Sequence, residues 1–103
     1  MATVRWTIGA QQDLQAIVEY IARYSPAYAA ATASRIVSAV RGLRHHPRMG
    51  RTVPEFGDSS VRELIVFNYR VIYKVSRSRV GIVAIVHGSR DLLRRLPLAE
   101  WSF

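Results

Sequence analysis

The chemistry open to this chain is limited by what it lacks. There is no cysteine among its 103 residues, so disulfides, a thiolate nucleophile and thiolate-ligated metals are excluded. Three histidines are present, His45, His46 and His87. The first two are adjacent near the predicted end of a helix, with no H-x-x-x-H spacing and no carboxylate cluster beside them, which predicts no metal site. Ser59, Ser60 and Ser89 lack the G-x-S-x-G surround of a nucleophile elbow. Gly81 and Gly88 do not form a phosphate-cradling loop. Acids are few and scattered, which argues against paired-carboxylate hydrolysis. No cofactor is expected.

What remains is arginine. The chain carries 15 Lys and Arg against 7 Asp and Glu, a net charge of +8, and all of its bases except Lys74 are Arg. Arg forks onto carboxylate or phosphate with two parallel hydrogen bonds, which Lys cannot do. Residues 1–34 balance two bases (Arg5, Arg23) against two acids (Asp13, Glu19), so the whole excess lies in residues 35–103. This asymmetry fits an arginine-rich genome and solubility, or a basic face for nucleic acid or an acidic protein partner. A charge count does not separate them. Arg62, Arg70 and Arg90 fall on or just after three successive predicted strands, and His87 ends the third. If those strands are neighbours, the four side chains would converge on one binding surface, with His87 able to move a proton. The competing reading makes Arg62 and Glu63 edge-strand charges, pairs Arg90 with Asp91 and, if Ile72 is core, puts Arg70 near the strand end or pairs it with an acid such as Glu63.

The elements that must position these residues are legible in the periodicity. Val4 to Ile8 alternates apolar and polar, as a short half-buried strand does. Leu14, Ile17, Val18 and Ile21 recur at helical spacing over about residues 10–24, with Thr7 as a candidate cap. Ser25-Pro26 ends that helix and starts another, Ser capping and Pro taking the first helical position. The second runs to about Arg44 with Ala29, Ala33, Ile36, Val40 and Leu43 on one stripe, and the short turn predicts an antiparallel helical hairpin. His46 to Ser60, with Pro47, Gly50, Pro54 and Gly57, reads as a long loop. Three strands follow: Val61–Val66, a turn at Phe67-Asn68, Tyr69–Ser76, then Val80–Val86 after Arg77-Ser78-Arg79. On the second, Tyr69, Val71, Tyr73 and Val75 share one face and Arg70, Ile72 and Lys74 the other. The third is apolar on both faces and should be covered on both sides. Asp91 to Phe103 would add one helical turn and an apolar end with Trp101. Leu14, Ile36, Leu64, Ile72 and Ile85 are expected in the core.

The expected fold is therefore α+β, β-α-α-β-β-β, with a helical hairpin packed on a small, mainly antiparallel sheet. At this length one domain spanning residues 1–103 is expected. No apolar run exceeds five residues, as in Ile82–Val86, against roughly 20 for a membrane span. The N-terminus lacks the pattern of a signal peptide, so no membrane association and a cytoplasmic location are expected.

Several pieces in order resemble the RelE/ParE superfamily of toxins from type II toxin–antitoxin systems. They are Trp6, Ala10, Asp13-Leu14, Tyr20-Ile21, Pro47, Gly50-Arg51, Arg62-Glu63-Leu64, Tyr69-Arg70-Val71-Ile72-Tyr73 and His87-Gly88-Ser89-Arg90-Asp91. Together they span about residues 4–92, and their combination carries the likeness. For a RelE-like member the resemblance implies metal-independent, ribosome-dependent mRNA cleavage by basic sheet residues and a late Tyr. Here Arg70 and Arg90 match, Arg62 fills one basic position, Leu64 stands where a Lys is expected, and Leu96 stands in place of the Tyr. Arg-Glu-Leu, Tyr-Arg-Val-Ile-Tyr and His-Gly-x-Arg-Asp look closer to ParE-like members. There the resemblance implies binding and poisoning of DNA gyrase rather than catalysis. It also implies neutralisation by a cognate acidic antitoxin in a toxin–antitoxin hetero-oligomer. The ParE-like reading is preferred, the RelE-like ribonuclease is the alternative, and a non-toxic binding module of the family is a third. Target contacts are expected at Arg62, Arg70, His87 and Arg90, and antitoxin contacts at the aromatics Trp6, Tyr24 and Tyr28.

Overall fold

A computed structural model describes residues 1–88. In chain order the elements are β1 (Thr3–Trp6), α1 (Ile8–Ala22), α2 (Pro26–Gly42), β2 (Arg51–Thr52), β3 (Val61–Val66), β4 (Tyr69–Ser76) and β5 (Arg79–His87). This is the α+β hairpin-on-sheet arrangement expected. Both helices begin where their side chains can satisfy the orphan N–H groups of a first turn. The Thr7 hydroxyl accepts from Ala10 N, and the Ser25 hydroxyl from Tyr28 N with Pro26 opening the helix.

The five strands lie in the order β1-β5-β4-β3-β2. β3, β4 and β5 form the antiparallel meander, β2 pairs antiparallel with β3, and β1 joins β5 in parallel as the other edge. The tight turn at Phe67-Asn68 fixes the β3–β4 register, pairing Val66 with Tyr69 and Arg62 with Tyr73. Between β4 and β5 the register slips: Ile72 faces Ala84 but Tyr73 faces Ile82, so Val83 is an extra, bulged residue.

α1 packs over β5 and α2 over β3. Ile36, Val40 and Leu43 are buried on that side with Val71, Tyr73, Val75, Ile82 and Ile85, and Leu14 and Leu64 pack half-buried against them. Thr32 is fully buried on the same helix, its hydroxyl donating to the Tyr28 carbonyl at 2.8 Å. The opposite face has its own cluster of Val53, Val61, Ile72, Val83, Ala84 and Val86, with Phe56 beside it. The bulge is why β5 serves both layers: Ile82 and Ile85 face the helices, and Val83, Ala84 and Val86 the other way.

The stretch read as loop contains one element that periodicity missed. β2 is only two residues long, too short for a pattern. Pairing with β3 and the hydrogen bond from Val53 N to Val61 O hold it in place. The predicted turn and apolar end between Asp91 and Phe103, Trp101 included, lie outside the described residues.

Candidate functional site

Strand register decides which arginines can meet. On β3, Arg62 alternates with Glu63, and on β4, Tyr73 alternates with Ile72. Arg62 opposes Tyr73 on the helix side, whereas Glu63 opposes Ile72 on the other, the side that Arg70 shares. The expected convergence of Arg62 with Arg70 is therefore corrected: the pleat sets them on opposite faces of the sheet. Arg90 lies outside the described residues. His87 ends β5 opposite Tyr69.

Each of the two placed arginines is engaged within the fold. Arg70 is buried and grips two carboxylates. Its Nε donates to Glu63 Oε1 at 2.5 Å, and its Nη1 and Nη2 donate to Glu55 Oε2 and Oε1 at 2.7 and 2.8 Å. Glu63, whose side chain is wholly buried, also accepts from Arg51 Nε at 2.5 Å. A buried carboxylate between two guanidiniums and a bidentate Arg–carboxylate fork are both charge-assisted arrangements. The hydrogen bonds from Arg70 hold the Glu55 carboxyl down to about 2, and those same bonds to Glu55 and Glu63 raise the guanidinium pKa further. The network fastens the Val53–Phe56 segment across the meander.

Arg62 works on the other side as a clamp for backbone. Its Nε donates to Ser59 O at 3.0 Å, and its Nη1 to Gly50 O at 2.9 Å and Arg48 O at 3.3 Å. Gly50 is held from the other direction by the fully buried Tyr73, whose hydroxyl oxygen accepts from Gly50 N at 2.9 Å. Burial pushes the Tyr73 hydroxyl pKa up. A side chain at Gly50 would run into Glu63 O and sit 2.8 Å from the Tyr73 hydroxyl.

The accessible chemistry lies at the β3–β4 turn. Arg51, Ile65, Phe67, Tyr69 and His87 line a shallow groove there, and the largely buried Arg70 borders it. The Tyr69 and His87 rings meet edge to face at 5.9 Å. The Phe67 backbone is in the left-handed region, φ 52°, a conformation that bulky residues avoid. Its exposed ring packs on Tyr28 at 5.7 Å, with the Arg35 guanidinium 5.3 Å from its centroid. Arg51 uses Nε on Glu63 while 62% of its side chain stays exposed. These are cationic and aromatic contact groups, and no His/Cys/Asp/Glu group among the described residues could hold a metal.

The three aromatics expected to meet an antitoxin fall at two places. Trp6 lines an apolar groove with Leu14, Val18 and Val37, where β1, α1 and α2 adjoin. Tyr24 and Tyr28 are exposed at the tip of the helical hairpin, Tyr24 edge to face with Tyr20 at 5.6 Å. The groove follows α1 as far as Val18, four residues before that helix ends at Ala22, so about 6 Å of helix at 1.5 Å per residue lies between it and the tip. Sequence reasoning missed Glu55 and Gly50 as organising residues and Phe67 as a displayed one. Glu63 carried a usable signal: it is the acid of β3 that shares a face with Arg70 once the two-residue turn is recognised.

The comparisons agree with this architecture. Residues 4–92 match the model of the ParE toxin of type II toxin–antitoxin system parDE. Toxin RelE2 of Caulobacter vibrioides is 38% identical over 91 residues, covering 87% of this chain and 99% of that protein. Putative toxin Y4kP of Sinorhizobium fredii is 35% identical over 90 residues, covering 85% and 90%. Among solved structures, the chromosomal ParDE toxin–antitoxin system of P. aeruginosa superposes with a TM-score of 0.69 at 26% identity, covering 84% of this chain and 96% of that one. The RelBE2 toxin–antitoxin complex of Mycobacterium tuberculosis, at TM-score 0.56 and 24% identity with the same coverage, shares the fold.

Proposed function

The chain belongs to the ParE toxin family of type II toxin–antitoxin systems, and from that premise we propose that it acts by binding, poisoning DNA gyrase, until an acidic antitoxin covers it. The observation that carries the binding reading is the commitment of Arg70. Cleaving RNA by attack of a 2′-hydroxyl needs a base and an acid placed on either side of the scissile phosphate. The strand arginine that a ribonuclease reading relies on is instead buried against Glu55 and Glu63. Arg62, the second candidate, is turned to backbone carbonyls on the opposite face.

Binding needs displayed anchors, and the β3–β4 turn has them. Phe67, His87 and Arg51 form a contact surface of the aromatic and arginine types that dominate protein interfaces. The groove lined by Trp6, Leu14, Val18 and Val37 is apolar and suits the apolar anchors of an antitoxin segment. Acidic residues between those anchors would meet a toxin of net charge +8, which favours fast, salt-sensitive association. A segment reaching Tyr24 and Tyr28 as well would continue past Val18 over the last turn of α1.

The test sets the purified toxin against gyrase with supercoiled plasmid and, in parallel, against translating ribosomes. Accumulation of gyrase-cleaved plasmid, relieved by the co-expressed antitoxin and reduced in Phe67→Ala, supports the proposal. Cleaved mRNA on the ribosome with no effect on gyrase would replace it with the ribonuclease reading, for which the resemblance to a relative named RelE2 speaks.

A further inference from the structure

The end of the molecule away from the Phe67 turn is built from basic residues contributed by three separate stretches. Two consecutive backbone hydrogen bonds bring these stretches together. Ala2 N donates to Arg44 O and Thr3 N to Ser78 O, both at 2.8 Å, so the C-terminal end of α2 and the β4–β5 turn flank the same two residues. Arg41 and Arg44 come from α2 and its end, Arg48 from the loop that follows, and Arg77 and Arg79 from the turn. All five are exposed, and no ion pair holds any of them among the described residues.

Among the described residues, the carboxylates that could neutralise this end are engaged with other partners. Glu55 and Glu63 belong to the Arg70 network. Asp13 accepts from Ile85 N, and Glu19 from the Gln15 side chain. Asp58, which lies beside Lys74, takes hydrogen bonds from both the backbone N–H and the hydroxyl of Ser60, and these lower its pKa. Arg41 sits in the last turn of α2, where the helix dipole alone favours a cation. That reason does not extend to the turn. Arg77 adopts φ 56°, a left-handed position that glycine or asparagine fills more readily in a two-residue hairpin. An arginine is displayed there at a conformational cost.

We propose that this end, centred on Arg44, Arg77 and Arg79, is a binding surface for the phosphate backbone of duplex nucleic acid. An acidic peptide is the other ligand that such charge attracts, but peptide docking also needs apolar surface to bury. Among the described residues, the apolar groove and the exposed aromatics lie along α1 and at the Phe67 turn, and of the exposed large apolar side chains only Met1 and Met49 fall near the basic end. Charge and planar donors with little apolar area match a sequence-independent array of phosphodiesters, where counterion release supplies the driving force. The surface is distinct from the residues assigned above to target and antitoxin, so this inference stands whether or not gyrase is the target.

The experiment measures anisotropy of a labelled 24-base-pair duplex against the full chain at several salt concentrations. Five phosphate contacts give a slope of log affinity against log salt of about −4.5. Arg44→Gln/Arg77→Gln/Arg79→Gln is expected to bring the slope to about −2 and, from that change of slope, to weaken binding roughly 300-fold at 0.1 M salt. Arg23→Glu/Ala30→Glu, at exposed positions of the helical hairpin, lowers the net charge by the same three units elsewhere and is expected to keep the parent slope. Arg44→Lys/Arg77→Lys/Arg79→Lys keeps the charge should the Gln variant unfold, and is expected to keep the slope too. Equal losses in the Gln triple and in Arg23→Glu/Ala30→Glu would reduce the effect to net charge and overturn the proposal. So would an unchanged slope in the first triple, a lost slope in the Lys triple, or a poly-glutamate peptide whose binding needs the three arginines when duplex binding does not.

Discussion

Replacing Arg70 by methionine separates a structural arginine from a target-contacting one. The substitution keeps the apolar stem but removes three charge-assisted hydrogen bonds, two to Glu55 and one to Glu63. Glu55 keeps about a third of its side chain in water, 31%. Its share is therefore discounted for solvent screening, to about 1 kcal/mol. Glu63 is the larger loss, because its side chain has no exposure and only Arg51, itself largely solvated, remains to compensate it. Breaking a buried pair by deleting one partner costs about 3–5 kcal/mol. Against a denaturant slope of about 1–2 kcal/mol per molar for a chain of this size, the combined loss of about 4–6 kcal/mol should lower the urea midpoint by about 2–6 M. Adding Glu63→Leu removes the stranded carboxylate and should recover most of that loss. The pH dependence gives a second readout. Glu55 has its folded pKa lowered to about 2 from 4.5, so its contribution is fully present above pH 4.5 and fades as pH falls towards 2. In Arg70→Met that part of the acid sensitivity should vanish. A variant with the parent midpoint and no toxicity would refute the reasoning and make Arg70 a contact for the target.

Gly50→Ala should lower the melting temperature by roughly 5–20 °C, because its methyl group would press on Glu63 O and the Tyr73 hydroxyl; a calorimetric scan checks it. Tyr73→Phe leaves Gly50 N without its buried acceptor and should cost about 1–3 kcal/mol in urea melts. Ile72→Ala and Ile85→Ala, at 0% and 3% exposure on opposite faces of the sheet, should each lose about 2–5 kcal/mol. Thr7→Ala should cost about 1 kcal/mol through the α1 cap, whereas Thr7→Ser keeps the capping hydroxyl and should cost little.

The sequence by itself determined the elements whose signals are local. Thr7 and Ser25-Pro26 mark helix starts within one turn, the 3.6-residue spacing of Ile36, Val40 and Leu43 marks a buried stripe, and the alternation in Tyr69–Ser76 marks a strand. Such signals need only neighbours in the chain, and the structure meets them at nearly the expected bounds. The facing of Arg70 was partly legible too, since Ile72 belongs to a core and alternation puts Arg70 beside it. Tertiary structure decided whether that face was open to a partner or closed. Glu55 reaches Arg70 from fifteen residues away in the chain, and Arg62 holds Gly50 across twelve. Neither contact leaves a period or a spacing in the sequence. The same holds for β2, whose two residues exist as a strand only because β3 offers an edge, and for the extra residue Val83 that lets β5 serve two cores. Charge behaves likewise: the count is a property of composition, but whether an arginine is spent on a buried carboxylate or left facing water depends on which chain segments fold beside it.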